Sequence, residues 1–412
     1  MILDCAQYTG PCPCGRTHTL TTRQVVIAPG ALADFGAYMA QAGLTGFRAV
    51  IYDTTTHSLP GLVHIPADQE IVLNAQGLRP EQSLIEDMMT RFTRPPEVIV
   101  VVGSGTLMDF GRYSAHKLGI PFAAVPTLVS ADGFTANICS LLIDGHKHSI
   151  PMKAPDLVVC DLNILSGAPM ALTLSGVQDI LAKHISLADW QIAHLVSGEY
   201  FCRRTCDMAR ESLDVMTRCA HGLAAGKSPD YEAMAYAQML SGLTMQLLNH
   251  SRAASGAEHL IAHLVEMHPP GFESAHGMHG ECVGVGTVLC AEEYHRLAKK
   301  ERITVRPFAP LDETWVRAAF GPLAPGILRE NEQDVLNTFP PEALAAHWPE
   351  IREILAAIPA AKDFAALYRV LGAKYRPEDI GIDPARKREV LDLSAAIRNR
   401  LTLMRMRRLI AE

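Results

Sequence analysis

The chain has 412 residues, 48% of them hydrophobic and 20% charged, with a formal net charge of −7. That length is too great for one typical core, so two domains are expected. The acidic balance, with no basic block, argues against a nucleic-acid partner, and no apolar run approaches the roughly 18 residues that span a bilayer.

The start, MILDCAQYTG, shows no signal peptide. Ten cysteines without framework spacing suit free thiols in a reducing cytoplasm. A cytoplasmic enzyme or binding protein is the expectation. Cys5, Cys12, Cys14 and His18 fall in the first twenty residues, three of them in PCPCGRTH. A CxC followed by His can hold zinc, but structural zinc normally takes four ligands at wider, paired spacing. An N-terminal turn or hairpin carrying small thiols is therefore expected.

From Arg23 strands and helices alternate. RQVVIAPG is a short apolar run closed by Pro-Gly, and ALADFGAYMAQAG reads as an amphipathic helix ended by Gly43. FRAVIYD is a buried strand with Asp53 at its carboxyl end. EIVLN, a helix over 80–92 and the run EVIVVVG ending at Gly103 follow. Runs so rich in β-branched residues suit a parallel sheet covered on both faces. LMDFGRYSAHKLG is then helical and PFAAVPT is another strand. Strands separated by helices of this length mean βαβ units, which bind ligands at the carboxyl ends of their strands.

The texture changes over 161–170, where DLNILSGAP supplies Gly and Pro. Apolar residues then recur at three-and-four spacing over 174–197, 201–224, 228–249 and on to the end. The expected architecture is an α/β, doubly wound dinucleotide-binding domain over 1–165, followed by an all-α domain over 166–412 that binds metal and substrate.

Several residues could carry chemistry. Gly103, Ser104, Gly105 and Thr106 join a strand to a helix, where backbone N–H groups and the helix dipole favour a pyrophosphate. The third glycine of the usual fingerprint is missing, and Asp109 is equally served by the helix dipole. Asp53 can accept from a ribose diol or simply form a turn. Thr127, Ser130 and Asp132 follow a strand in VPTLVSADGF, where position and composition do not decide their role.

Between His250 and Gly286 lie His250, His259, His263, His268, His276 and His279, six of the chain's 17 histidines. His259 and His263 are four apart in a segment without Gly or Pro, and so share a helix face. Imidazole is the commonest protein ligand of zinc, nickel and iron. Asp179, early in another helical segment, adds a hard oxygen ligand. An Asp/His/His set leaves coordination positions open, as a catalytic metal requires. It is not a zincin, because Leu260 follows His259 where that motif needs Glu.

Together VVGSGTLMD, VPTLVSADGF, LSGVQDILAKHISLADW, AASGAEHLIAH and HGECVGVG resemble the sn-glycerol-1-phosphate dehydrogenases, within the iron-containing alcohol dehydrogenase and dehydroquinate synthase-like superfamily. The segments run in family order over 97–287, and IRNRLTL resembles the family's late helix. The resemblance implies that Asp179, His259 and His279 hold one divalent metal, zinc or nickel. It implies that Gly103, Ser104, Gly105, Thr106, Leu107, Asp109, Thr127 and Ser130 line NAD(H) or NADP(H). Asp132, Asp179 and His263 would contact substrate, dihydroxyacetone phosphate or sn-glycerol 1-phosphate, with His263 passing a proton. Members typically carry Ser where this chain has Ala136, so that hydroxyl contact is lost.

Lys147, Lys153, Lys183 and Arg252 are candidates for the substrate phosphate. Asp53 would favour NAD by repelling a 2′-phosphate, and a homodimer is a family expectation. Two rivals lie within the superfamily: a polyol dehydrogenase acting on an unphosphorylated substrate, and a lyase that uses NAD transiently. A third is a dinucleotide sensor, for which an open metal set serves no purpose.

Overall fold

A computed structural model describes residues 1–411. The chain forms two compact units, Met1–Ile180 with Arg204–Ser251, and Leu181–Arg203 with Arg252–Glu412.

The first unit is built on strands β1 (Ile2–Asp4), β4 (Gln24–Ala28), β5 (Arg48–Asp53), β6 (Gln69–Leu73), β7 (Val98–Gly103), β8 (Phe122–Pro126) and β11 (Leu157–Asp161). They make one sheet in the order β1-β4-β11-β8-β7-β5-β6, parallel except for β1. Every residue of β7, β8 and β11 is buried, as expected of strands covered on both faces. Two hairpins stand outside this sheet: β2 (Gly10–Pro11) with β3 (Thr17–His18), and β9 (Ile138–Ile143) with β10 (His146–Pro151). The alternation of VIVVV and its neighbours announced the sheet. The β9/β10 hairpin and β11 were not anticipated, since neither is set off by a helix of the expected length.

Strand order decides where a ligand goes. From β5 the chain moves outward to β6, then crosses back to the other side of β5 to lay down β7, β8 and β11 in turn. The reversal leaves a crevice at the carboxyl ends of β5 and β7, the position that doubly wound sheets use for binding. Asp53 ends β5 and Gly103 ends β7.

Helix α1 (Phe35–Gln41) is preceded by a 3-10 turn over Ala31–Asp34, so the expected single helix there is split. Helix α2 (Gln82–Met89) follows β6, and α3 (Gly105–Leu118) follows β7. Gly111 lets α3 lie close on β7: a Cβ there would sit 2.1 Å from Val101 Cγ2. The short α4 (Leu162–Leu165) leaves the sheet, and α5 (Met170–Leu181) ends at Ala182, where α6 (Lys183–Ser197) starts. The periodic segment 174–197 is thus two helices. Helices α7 (Arg203–Ala224) and α8 (Tyr231–Leu248) follow.

Side-chain hydrogen bonds hold α8 to the sheet's loops. Gln238 Nε2 donates to Val129 O at 2.8 Å, and Gln246 Nε2 to Thr22 Oγ1 at 2.7 Å and to Thr135 O. Gly242 permits the approach, because a Cβ there would meet Thr135 Oγ1 at 2.1 Å.

The second unit is helical. Helix α9 (Ala257–Met267) packs with α10 (His279–Ala298), and further helices follow to Leu403–Met406. Asp189 of α6, fully buried, is its organiser. It accepts from Tyr294 Oη of α10 at 2.7 Å, Leu403 N at 2.8 Å and Ala257 N at 2.9 Å. Burial pushes the Asp189 carboxyl up to about 6 despite these donors.

The contact at Gly111 can be tested directly. Gly111→Ala is expected to destabilise the protein by about 1–3 kcal/mol through overpacking against Val101, read as a lower urea midpoint with an unchanged slope.

Candidate active site

At the crevice, Asp53 is 7% exposed, and its Oδ1 accepts from Thr55 N at 2.9 Å and Thr56 N at 2.7 Å. Its turn-forming role is therefore real. Ser104 takes an extended conformation (φ −82°, ψ 174°) as the N-cap of α3, with no side-chain cap and no acidic residue in the first turn. Ser104, Gly105 and Thr106 are partly exposed. Gly105 faces open space, whereas a Cβ on Gly103 would strike Leu107 Cδ1 at 2.3 Å. Leu107 is thus buried beneath the turn. The main chain binds Thr127 N to Gly103 O at 3.2 Å. Thr127 Oγ1 is buried without a hydrogen-bond partner, a cost of about 1–3 kcal/mol that a ligand acceptor or donor would relieve.

Asp109 is engaged elsewhere. Its Oδ1 takes Arg112 Nη1 at 2.6 Å and Ser140 N at 3.3 Å. Arg112, 1% exposed, also donates to Ala136 O at 3.1 Å and Gly133 O at 2.6 Å. The pair braces the loop after β8. In that loop Ser130 O accepts from Ser175 Oγ at 3.5 Å. Asp132 N donates to Asp179 Oδ2 at 3.0 Å, and Asp132 Oδ2 accepts from Ser241 Oγ of α8 at 2.7 Å. Asp132 and Asp179 are both buried.

His259 and His263 lie on α9 as their spacing predicted, and His279 opens α10. Ring centroids of His259 and His279 are 5.4 Å apart, and His263 is 6.4 Å from His259 and 6.0 Å from His279. Both histidines of the ligand set are backed by a glutamate: His259 Nδ1 by Glu258 Oε1 and His279 Nδ1 by Glu266 Oε1, both at 2.7 Å. That places the protons on Nδ1 and leaves each Nε2 as a ligand atom, the usual carboxylate–histidine–metal pattern. Glu258 is fully buried and also accepts Gly256 N at 2.8 Å. Asp179, His259 and His279 form a group that could hold a metal ion, one ligand atom from each and all within 4.8 Å of one another.

The sequence motifs assign neither glutamate a role, although one signal is there. Glu258 adjoins His259, and Glu266 stands seven residues on, two turns along the same face. His250, His268 and His276 do not join the group. Of the cations considered for the substrate phosphate, Lys153 lies 3.6 Å from Asp156. Arg252 is held by Glu199 at 2.6 Å and donates to Leu401 O at 2.8 Å. Lys147 and Lys183 are buried.

Residues 26–169 match the family described as iron-containing alcohol dehydrogenase. A glycerol-1-phosphate dehydrogenase [NAD(P)+] of Bacillus licheniformis is 33% identical over 299 residues, covering 70% of this chain and 74% of that protein. One from Geobacillus stearothermophilus is 28% identical over 95% and 94%. Among solved structures, a probable glycerol dehydrogenase from Sinorhizobium meliloti superposes with a TM-score of 0.62 at 17% identity, covering 93% and 91%. A 1,3-propanediol oxidoreductase gives 0.60 at 16%, covering 92% and 93%. These two likenesses concern the fold alone.

The glutamate backing has a measurable consequence. Glu266→Ala is expected to weaken metal binding by roughly 10–100-fold without lowering the melting temperature of the metal-free protein, as measured by chelator competition and thermal denaturation.

Proposed function

The chain belongs to the glycerol-1-phosphate dehydrogenase family, and on that premise we propose that it catalyses the metal-dependent, NAD(P)H-linked, reversible reduction of dihydroxyacetone phosphate to sn-glycerol 1-phosphate, a glycerophospholipid backbone. The observation that carries the reading is the Asp179/His259/His279 donor set with both imidazoles backed by glutamate. A carboxylate and two neutral imidazoles suit zinc or nickel, and three protein ligands leave positions for substrate oxygens. The orphaned Thr127 hydroxyl and the uncapped start of α3 fit a dinucleotide in the same spirit.

In this reading the metal supplies Lewis-acid polarisation of the substrate carbonyl, and the nicotinamide supplies the hydride. The chain's residues do the rest. Backbone N–H groups at Ser104, Gly105 and Thr106 receive the pyrophosphate, with Gly103 and Leu107 as the floor beneath them. Thr127 and Ser130 offer hydroxyls on the β8 side, and Asp109 acts through Arg112 by fixing the loop they belong to. Asp53 Oδ1 is held by its own turn, and the carboxylate would take a ribose hydroxyl, where its charge disfavours a 2′-phosphate.

Asp132 is held by Ser241 and by its main-chain bond to Asp179, and it orients a substrate hydroxyl. His263, one turn from His259, hands a proton to the carbonyl oxygen as it becomes an alcohol, a contribution of roughly 10²–10⁴-fold. Ten cysteines with no disulfide among the described residues suit a reducing compartment such as the cytoplasm. No helix among the described residues is long and apolar enough to cross a membrane. We place the enzyme in solution as a homodimer.

NADH oxidation by the metal-loaded protein tests the assignment, with dihydroxyacetone phosphate and dihydroxyacetone compared side by side. Turnover of the phosphorylated ketone alone, abolished in His259→Ala, is expected. Comparable turnover of dihydroxyacetone would replace this reading with a polyol dehydrogenase, and NAD binding without oxidation of NADH would leave the lyase or the sensor. His263→Asn should retain bound metal yet lose roughly 10²–10⁴-fold in kcat, and full activity in that variant would remove His263 from proton transfer.

A further inference from the structure

The N-terminal hairpin carries a second donor set, and nothing in the proposed reaction uses it. Cys12 and Cys14 flank the start of the turn between β2 and β3, and His18 ends β3. Cys202, immediately before α7, belongs to the same group: one ligand atom from each of Cys12, Cys14, His18 and Cys202, all within 4.8 Å of one another. Its local placement is supported by Arg204, two residues on, which donates to Gln7 O at 2.9 Å. The ligand that the CxC spacing lacked is supplied from some 180 residues further along the chain.

We propose that Cys12, Cys14, His18 and Cys202 bind a structural zinc ion. Three thiolates and one imidazole are a closed, tetrahedral donor set, with no position left for substrate. The geometry already approximates one edge of that tetrahedron. Zn–S near 2.3 Å and Zn–N near 2.0–2.1 Å at the tetrahedral angle put S and N about 3.6 Å apart, and Cys14 Sγ lies 3.4 Å from His18 Nε2. His18 is 2% exposed, and its Nδ1 lies 2.9 Å from Leu247 O. A carbonyl can only accept, so Nδ1 carries the proton and Nε2 turns its lone pair toward the thiols. This is the second-shell arrangement that fixes a metal-binding histidine. Cys202 is fully buried, whereas Cys12 and Cys14 are partly exposed, which gives the ion a way in. Zinc here staples a short two-stranded hairpin that could not hold itself together in water. It also fixes the hairpin against the carboxyl end of α8 through His18. Binding releases the thiol protons and changes no oxidation state.

Cobalt substitution of the whole chain is the test. Thiolate-bound Co(II) gives an intense sulfur-to-metal charge-transfer band, and Asp179, His259 and His279 offer no sulfur, so the band reports the hairpin group alone. Metal-free, reduced wild-type protein is expected to develop the band as Co(II) is added, to reach the intensity of one thiolate-bound ion per chain once both donor sets are filled, and to lose it when zinc is added. Cys14→Ser and Cys202→Ser should each abolish the band and lower the zinc content of the purified protein by one ion per chain. His259→Ala should keep the band, which separates this site from the catalytic reading. The proposal is overturned if folded wild-type protein shows no charge-transfer band, if thiol titration finds two of these cysteines joined as a disulfide, or if the band survives in both cysteine variants. The wild-type titration decides the matter even where a variant fails to fold.

Discussion

Two carboxylates buried at the amino end of α9, Asp189 and Glu258, are the constraint on which the metal-binding half of the molecule depends. Asp189 takes the first N–H of α9 and ties it to Tyr294 of α10 and to Leu403 near the end of the chain. Glu258 takes Gly256 N and the Nδ1 of His259. Negative charge is favoured at this end of a helix, where unpaired N–H groups and the dipole meet it. Burying it nonetheless costs enough to lift the Asp189 carboxyl to about 6. The three donors to Asp189 offset part of that cost, and Glu258 fixes the direction of one ligand ring. Glu266 does the same for His279 from the other end of the helix, so the imidazoles are aimed before any ion arrives.

The sheet unit uses a different device. It has no third glycine after β7, and its crevice rests on strand order, with Asp53 and Gly103 ending the two strands that flank the reversal. Around it the backbone is braced rather than loose. Arg112 holds Gly133 and Ala136, Gln238 and Gln246 hold the loops from α8, and Ser241 holds Asp132. The Thr127 hydroxyl is one of several buried polar atoms of this unit without a hydrogen-bond partner, and it follows β8 where the main chain joins Thr127 N to Gly103 O. The hairpin donor set follows the logic of α9 at smaller scale: a carbonyl fixes one ring nitrogen of His18 so that the other faces the thiols.

Much of this was legible in the chain itself. Near-continuous β-branched runs and helical spacing determined a parallel sheet followed by helices. The four-residue interval placed His259 and His263 on one helix, and the motif series placed Asp179, His259 and His279 in a family. These signals survive because they are local: period, turn residues and short spacings act within a few residues of backbone. The break at Ala182 does not interrupt the apolar spacing, whereas the β9/β10 hairpin is signalled by Asp144-Gly145, whose positive φ angles make its two-residue turn, a signal the periodicity reading passed over.

Tertiary structure alone decided which neighbours each side chain meets. It assigned Asp109 to Arg112 and gave Asp53 its turn. It set Glu258 and Glu266 behind the ligand histidines, and it brought Cys202 to a hairpin it could not be linked to by spacing. The last of these pairings spans much of the chain and Glu266 reaches into the next helix, whereas Asp109 and Arg112, Asp53 and Thr56, and Glu258 and His259 are near neighbours for which spacing leaves open which polar group within reach each carboxylate takes. These pairings are settled when packing excludes water and each buried donor and acceptor must find whichever partner the fold places beside it.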